Sequence, residues 1–212
     1  MEPVLPFVSV VMPVRNEAAF IAESLGAVLT QDYPADRMEV IVVDGDSTDG
    51  TPKVLGQYQG SEPPVIVLRN PARIVPAALN IGIRHARGEI IVRVDGHAVI
   101  APDYVRKSVE YLRRGDAEGV GGPMRPRGRS YFGRAAALAT ASPFGIAGSR
   151  FHYSEKEDFF TDTFYLGAYR RDVFDRIGLF DEGFICNQDY ELNYRLRAAG
   201  GRILCSPKIQ SI

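Results

Sequence analysis

The chain has 212 residues, a formal net charge of -1 and 45% hydrophobic residues, which suffices for one sizeable α/β domain with a real core, or for two small ones. So balanced a charge argues against a broad basic face for nucleic acid or anionic lipid. The two cysteines, Cys186 and Cys205, come without a CxxC pair or histidines at metal-site spacing, so neither a disulfide framework nor a zinc module is supported.

Met1 to Pro6 lacks the basic segment and long apolar stretch of a signal peptide. No window supplies the roughly eighteen uninterrupted apolar residues of a membrane span. A soluble domain in a reducing compartment is expected. Phe7 to Val14 is an apolar run stopped by a proline, followed by polar Asn16-Glu17 and by apolar residues at helical spacing over Ala18 to Leu29. Met38 to Val43 reads as a second buried strand. It ends in Asp44-Gly45-Asp46-Ser47-Thr48-Asp49-Gly50-Thr51, a loop signal and a cap for a helix from Pro52 onward. Val65 to Leu68 is a third strand, Ile74 to Arg87 a helix, Ile90 to Val94 a fourth strand and Pro102 to Arg114 another helix. Strands alternating with helices at this spacing imply right-handed crossovers and a largely parallel sheet.

After Val120-Gly121-Gly122-Pro123 the pattern changes. Met124 to Asp158 is rich in Gly, Ala, Arg and Ser, with a helix expected only over Phe132 to Thr140; long irregular segments in compact domains tend to be functional or mobile. Order returns at Phe164 to Arg171, followed by a helix over Asp172 to Ile177. A final helix opens at Asn187-Gln188-Asp189, carries Leu192, Leu196 and Ala199 on one face and ends at Gly200-Gly201. Arg202 to Ile212 looks like a strand leading onward, so the full-length protein is expected to continue beyond residue 212.

The chemistry concentrates in Gly88 to Ala98, where β-branched residues rise to Asp95-Gly96-His97. Continuous apolar runs of this kind are strands buried on both faces, and ligands in open α/β sheets collect at the carboxyl ends of such strands. Residues two apart across a glycine can face one point, so a carboxylate and an imidazole could share a divalent cation. A plain turn with an exposed histidine accounts equally well for this stretch taken alone.

Five motifs then occur in order: Val10-Val11-Met12-Pro13-Val14-Arg15-Asn16-Glu17, Val43 to Thr51, Asn80-Ile81-Gly82, Val94-Asp95-Gly96-His97 and Gln188-Asp189-Tyr190-Glu191-Leu192. Together they resemble the family 2 glycosyltransferases of the GT-A fold, in the succinoglycan-type branch that builds bacterial exopolysaccharides. The resemblance implies a Rossmann-like α/β three-layer sandwich with a mostly parallel central sheet. It implies one domain over 1–212, with a donor-binding half at 1–123 and an acceptor-binding half at 124–212. Carried over residue by residue, it implies that Pro13, Val14 and Glu17 line the nucleoside pocket and that Asp44 accepts from the base. Arg73 and Asn80 would lie near the ribose or diphosphate. Asp95 would lie near ribose and metal, with His97 on the metal, and Asp189 would be the catalytic base.

The family's Asp-x-Asp is here Asp-Gly-His, and its Glu-Asp pair is Gln188-Asp189. An imidazole suits manganese, cobalt or zinc better than magnesium; a divalent metal is expected, Mn2+ first, with Mg2+ as the alternative. Loss of a neighbouring charge at Gln188, together with the helix dipole, is expected to keep Asp189 ionised. The implied activity is inverting, metal-dependent transfer from a nucleotide-diphosphate sugar, of the uridine kind, to a polysaccharide or lipid-linked saccharide. No nucleic-acid partner is expected. The implied setting is cytoplasmic, at the inner face of the cell membrane, with any peripheral membrane association through regions beyond the given chain. A sugar nucleotidyltransferase and a non-catalytic nucleotide-sugar-binding domain are the alternatives. The former would be expected to carry a glycine-rich loop where this chain has Pro13-Val14-Arg15-Asn16-Glu17.

Several of these residues also have purely structural readings. Asp46 and Asp49 are read as turn and cap residues. Phe164, Tyr165 and Tyr169 could stack on an acceptor sugar, although core packing is the commoner fate of aromatics. The Arg125, Arg127, Arg129 and Arg134 cluster reads as a solvated loop or as an approach to acceptor phosphate or a membrane surface.

Overall fold

The computed structural model describes residues 4–123, 131, 132, 135 and 157–211. The strands are β1 (Val8–Val14), β2 (Met38–Asp44), β3 (Val65–Arg69), β4 (Ile90–Arg93), β5 (Gly119–Gly122), β6 (Phe159–Phe160), β7 (Tyr165–Arg170) and β8 (Ile203–Cys205). The helices are α1 (Ile21–Leu29), α2 (Thr51–Leu55), α3 (Val75–His85), α4 (Tyr104–Arg113), α5 (Asp172–Ile177) and α6 (Gln188–Ala198). The strands form one sheet in the order β3-β2-β1-β4-β7-β5-β8-β6. β1 runs parallel to β2 and β4, β2 to β3, and β5 to β8. The pairings β4–β7, β5–β7 and β6–β8 are antiparallel. One sheet therefore runs through both expected halves, with β7 inserted between β4 and β5.

Alternation along the central strands divides the core in two. Val10, Met12, Val40, Val42, Val92 and Val94 face α1 and α4 through Ile21, Leu25, Tyr104 and Val109. Val11, Ile41, Val43 and Ile91 face α3, α5 and α6 through Leu79, Ile83, Phe174, Leu192 and Leu196. Helices thus cover both faces of a sheet buried through its centre, as a mainly parallel sheet requires. Close packing sets single residues: a Cβ at Gly82 in α3 would overlap the Val11 side chain of β1.

Pro13 lies inside β1, a central strand. It is tolerated because the ladder to β4 covers only Val8 to Val11, while Pro13 stands opposite Val43 of β2. The chain winds outward from β1 through β2 to β3 and then returns to the other side of β1 as β4. The carboxyl ends of β1 and β4 therefore flank a topological switch point, the place where such sheets open a crevice.

The elements differ from the sequence expectations in a few places. α1 begins at Ile21, because Ala18 to Phe20 form a turn in which the Glu17 carbonyl accepts from the amides of Phe20 and Ile21. β5 and the two-residue β6 carry no periodicity to read. The helix expected over Phe132 to Thr140 lies outside the described residues apart from Phe132 and Ala135, as does the Arg125, Arg127, Arg129 and Arg134 cluster. Among the described residues no helix is long and apolar enough to cross a membrane.

Candidate active site

Two loops build one wall of the switch-point crevice. The amide of Asn16 donates to Ser47 Oγ at 2.8 Å, and the amide of Thr48 donates back to Asn16 Oδ1 at 2.8 Å. Asp49 accepts from the amides of Ala18 and Thr51, at 3.0 and 2.9 Å. It is a loop tie, as its sequence context suggests. Asp44 is held likewise, accepting from the amide and hydroxyl of Ser47.

The opposite wall follows β4. Ser24 Oγ of α1 donates to the Asp95 carbonyl at 3.0 Å, and the amide of Ala98 donates to the same oxygen at 3.0 Å, so the strand turns sharply after Asp95. Gly96 serves packing in this turn and does not take a left-handed φ. A Cβ there would stand 3.0 Å from the Glu17 side chain.

The pocket between these walls is lined by Pro13, Val14, Glu17, Arg73, Asp95 and His97, with Arg15, Gly45, Asn70 and the start of α3 completing it. Six of the eight residues expected at the donor site therefore meet in one place. Arg73 is placed there by a left-handed backbone, φ 61°, and its guanidinium donates to Asp46 at 3.2 Å beside Arg69. Asp46 is thus a clamp for two arginines as well as a turn residue, also at positive φ. Asp44 lies in the adjoining groove with Asp46, Ser47, Thr48, Arg69 and Arg73.

Asn80 is not in the pocket. Only 2% exposed, it donates to the Phe180 carbonyl and to Glu182 at 2.9 Å each and accepts from the Phe180 amide at 2.9 Å. Its amide is fully used in pinning the segment before α6 to α3. Phe164 and Tyr169 are core residues, and the Tyr169 hydroxyl donates to buried Asn193 at 2.9 Å. Burial first, then the Asp95 charge, push the Tyr165 hydroxyl up to about 12, so it keeps its proton near neutrality.

Arg93, which the sequence reading treated as part of a strand, organises the site. Alternation after Ile91 turns its side chain to the face covered by α3 and α6. There it donates through Nε and Nη2 to the two oxygens of Asp95, at 2.8 and 3.2 Å, and through Nη1 to Oδ1 of Asp189 in the first turn of α6. The signal was present in the sequence, since a charged residue inside an apolar strand is expected to have a buried partner. Burial opposes the Arg93 charge, but Asp95 and Asp189 outweigh it and hold the guanidinium protonated. Burial also pushes the Asp189 carboxyl above the usual carboxylate range; Arg93 pulls against this and the Asp95 charge adds to it. The expectation that the dipole keeps Asp189 readily ionised is therefore corrected: one cation shared by two acids leaves the group net negative in a poorly solvated place.

For a metal, the donor set is mixed. Asp95 and His97 share the pocket with Glu17, but Asp95 is held by Arg93, and His97 Nδ1 lies 2.8 Å from Glu17 Oε1. Among the described residues no group of three acidic, histidine or cysteine side chains is arranged to hold an ion. The chemistry of a carboxylate and an imidazole suits manganese. Asp95 and His97 could at most supply two protein donors to an ion here.

A family model described as "Glycosyl transferase family 2" matches residues 9–178. The succinoglycan biosynthesis protein ExoA of Rhizobium meliloti is 33% identical over 205 residues, covering 96% of this chain and 62% of that protein. A dolichyl N-acetyl-alpha-D-glucosaminyl phosphate 3-beta-D-2,3-diacetamido-2,3-dideoxy-beta-D-glucuronosyltransferase of Methanococcus voltae is 30% identical, with 97% and 66% covered. The chain thus spans less than two thirds of the length of these relatives. Among solved structures, the mannosyltransferase PcManGT from Pyrobaculum calidifontis, in complex with GDP-Man and Mn2+, superposes with a TM-score of 0.74 at 28% identity, covering 96% of this chain and 55% of that one. TarS of S. aureus in complex with UDP-GlcNAc gives 0.74 at 19% identity, with 95% and 56% covered, a likeness of fold alone.

Proposed function

Because the chain belongs to glycosyl transferase family 2, with a GT-A fold, we propose that it transfers a sugar from a nucleotide-diphosphate sugar to a saccharide or lipid-linked saccharide, inverting the anomeric carbon. The observation that carries this reading is the convergence of the switch-point pocket and Asp189 on the two ends of one arginine.

In the reaction the bond from the anomeric carbon to the phosphate oxygen breaks, and its electron pair leaves with the diphosphate. The acceptor oxygen forms the new bond from the opposite side, and its proton passes to the Asp189 carboxylate. A base with a raised pKa holds that proton better than an ordinary carboxylate would. Arg15 and Arg73 bring positive charge to the pocket wall, where a diphosphate is best received. Asp95 and His97 would hold a divalent cation, Mn2+ before Mg2+, together with the donor. Such an ion supplies neutralising charge for the leaving diphosphate.

A panel of UDP- and GDP-sugars with manganese tests this, a uridine donor being the expected one. One donor should bind and be turned over, with the product of opposite anomeric configuration by NMR. No binding by any donor, or retained configuration, would contradict the proposal. The commitment of Asp95 and His97 to protein partners favours one second reading, a domain that binds a nucleotide sugar without turning it over. Binding with no turnover of any donor, over a range of saccharide acceptors, would select it.

A further inference from the structure

We propose that Arg93 is a positioning residue that couples the donor pocket to the catalytic base, an inference that rests on the glycosyl-transfer reading above. Its side chain is 11% exposed, and its guanidinium meets Asp95 on the donor side and Asp189 on α6. Asp95 follows β4 directly, whereas Asp189 arrives from a helix far along the chain. One planar fork therefore joins the loop that faces the donor to the helix that brings the base.

Arg93 takes Oδ1 of Asp189, and among the described residues no other side chain hydrogen-bonds that carboxylate. Holding one oxygen restrains the carboxylate, and Oδ2, which no other described side chain hydrogen-bonds, would accept the proton of an incoming hydroxyl. Because the cation is shared, any ligand that draws Asp95 toward the donor changes the grip left for Asp189. Occupancy of the pocket and orientation of the base are linked through this single group. A lysine keeps the charge but lacks the rigid fork that serves two carboxylates at once.

The test is a double-mutant cycle on the full chain with Arg93→Lys, Asp189→Asn and their combination. Turnover is followed as nucleotide release from the donor selected by the panel, and binding as UDP or GDP affinity with manganese by calorimetry. Arg93→Lys should lower kcat on the order of a hundredfold, with nucleotide affinity changed by less than about fivefold. In the Asp189→Asn background, already reduced on the order of a thousandfold, adding Arg93→Lys should change kcat no further. Arg93→Gln, neutral and of similar reach, repeats the cycle if the lysine variant melts early. Wild-type kcat in Arg93→Lys, or full multiplication of its effect on top of Asp189→Asn, overturns the coupling. Turnover near the wild-type rate in Asp189→Asn is a different failure and removes the base assignment itself.

Discussion

At Asp189 the same burial that makes the carboxylate costly also sets its pH behaviour. Its pKa is raised on folding by burial, against the pull of Arg93, so folding favours the protonated form. Its contribution to stability is present below the ordinary carboxylate range and is lost as pH rises through the raised value. Activity runs the other way, since a base must be ionised to accept a proton. The kcat–pH profile should rise through an acid limb displaced upward from an ordinary aspartate, and a limb at the usual carboxylate pH would contradict this. His97 carries a second prediction. It is 55% exposed and bonded to Glu17, so His97→Ala leaves the core untouched and tests the pocket alone. Manganese-dependent nucleotide affinity should fall on the order of tenfold, and unchanged affinity would remove His97 from the metal site. Asn80 shows where motif reading stops at this scale. Its place in the sequence resembles that of a donor residue, yet the carbonyl and amide of Phe180 claim its side chain.

Between elements, the connections behind the site are as constrained as those in front. Glu39 of β2 is fully buried and accepts from Ser9 Oγ at 2.6 Å and from the backbone amide and Nε of Arg87, at 2.8 and 2.9 Å. It ties the α3–β4 turn to β1 and β2. These bonds hold the Glu39 carboxyl below its usual range even though burial, the largest single influence, pushes it up. Its stabilisation is therefore present above the ordinary glutamate pKa and is lost as pH falls through the lowered value. Glu39→Gln should cost about 1–2 kcal/mol at neutral pH, with the difference from wild type shrinking in acid; urea melts at two pH values would check it. In β5, a Cβ at Gly122 would overlap the Ile209 carbonyl oxygen, and backbone cannot yield as a side chain can. Gly122→Ala should cost roughly 2–3 kcal/mol or more, read from the same melts. The strands legible in the sequence, β1 to β4, are β-branched runs with boundaries set by Asp, Gly and Pro; β1, β2 and β4 are buried on both faces, while β3 is a partly exposed edge strand. β5 was not legible, because Gly119, Gly121 and Gly122 are there for close approach to Ile203, Phe164 and Ile209, neighbours that only the fold brings near.

For the whole molecule, the winding of the sheet decides where chemistry can occur. β1 and β4 diverge at the switch point, and the residues after each strand, Pro13 to Glu17 and Asp95 to His97, become the two walls of one pocket. The Asp95 to His97 wall was readable from a strand end and alternation, and the Pro13 to Glu17 wall from the family resemblance. The link from pocket to base was not, because Arg93 and Asp189 are joined only when α6 packs against the same face as α3. The molecule also has a cavity of about 450 Å³ near the opposite end of β4, lined by Glu89, Arg113, Arg170 and Asp172 among others. Its arginines make it a second place where a diphosphate could settle. The structure of the protein soaked with UDP and manganese distinguishes the two most directly. The expected result is a diphosphate between Arg73 and Asp95, with the ion against Asp95 and His97 and the sugar side open toward Asp189. A nucleotide resting instead beside Arg113 and Arg170, or one in the switch-point pocket with its phosphates turned away from Asp95, would contradict the assignment.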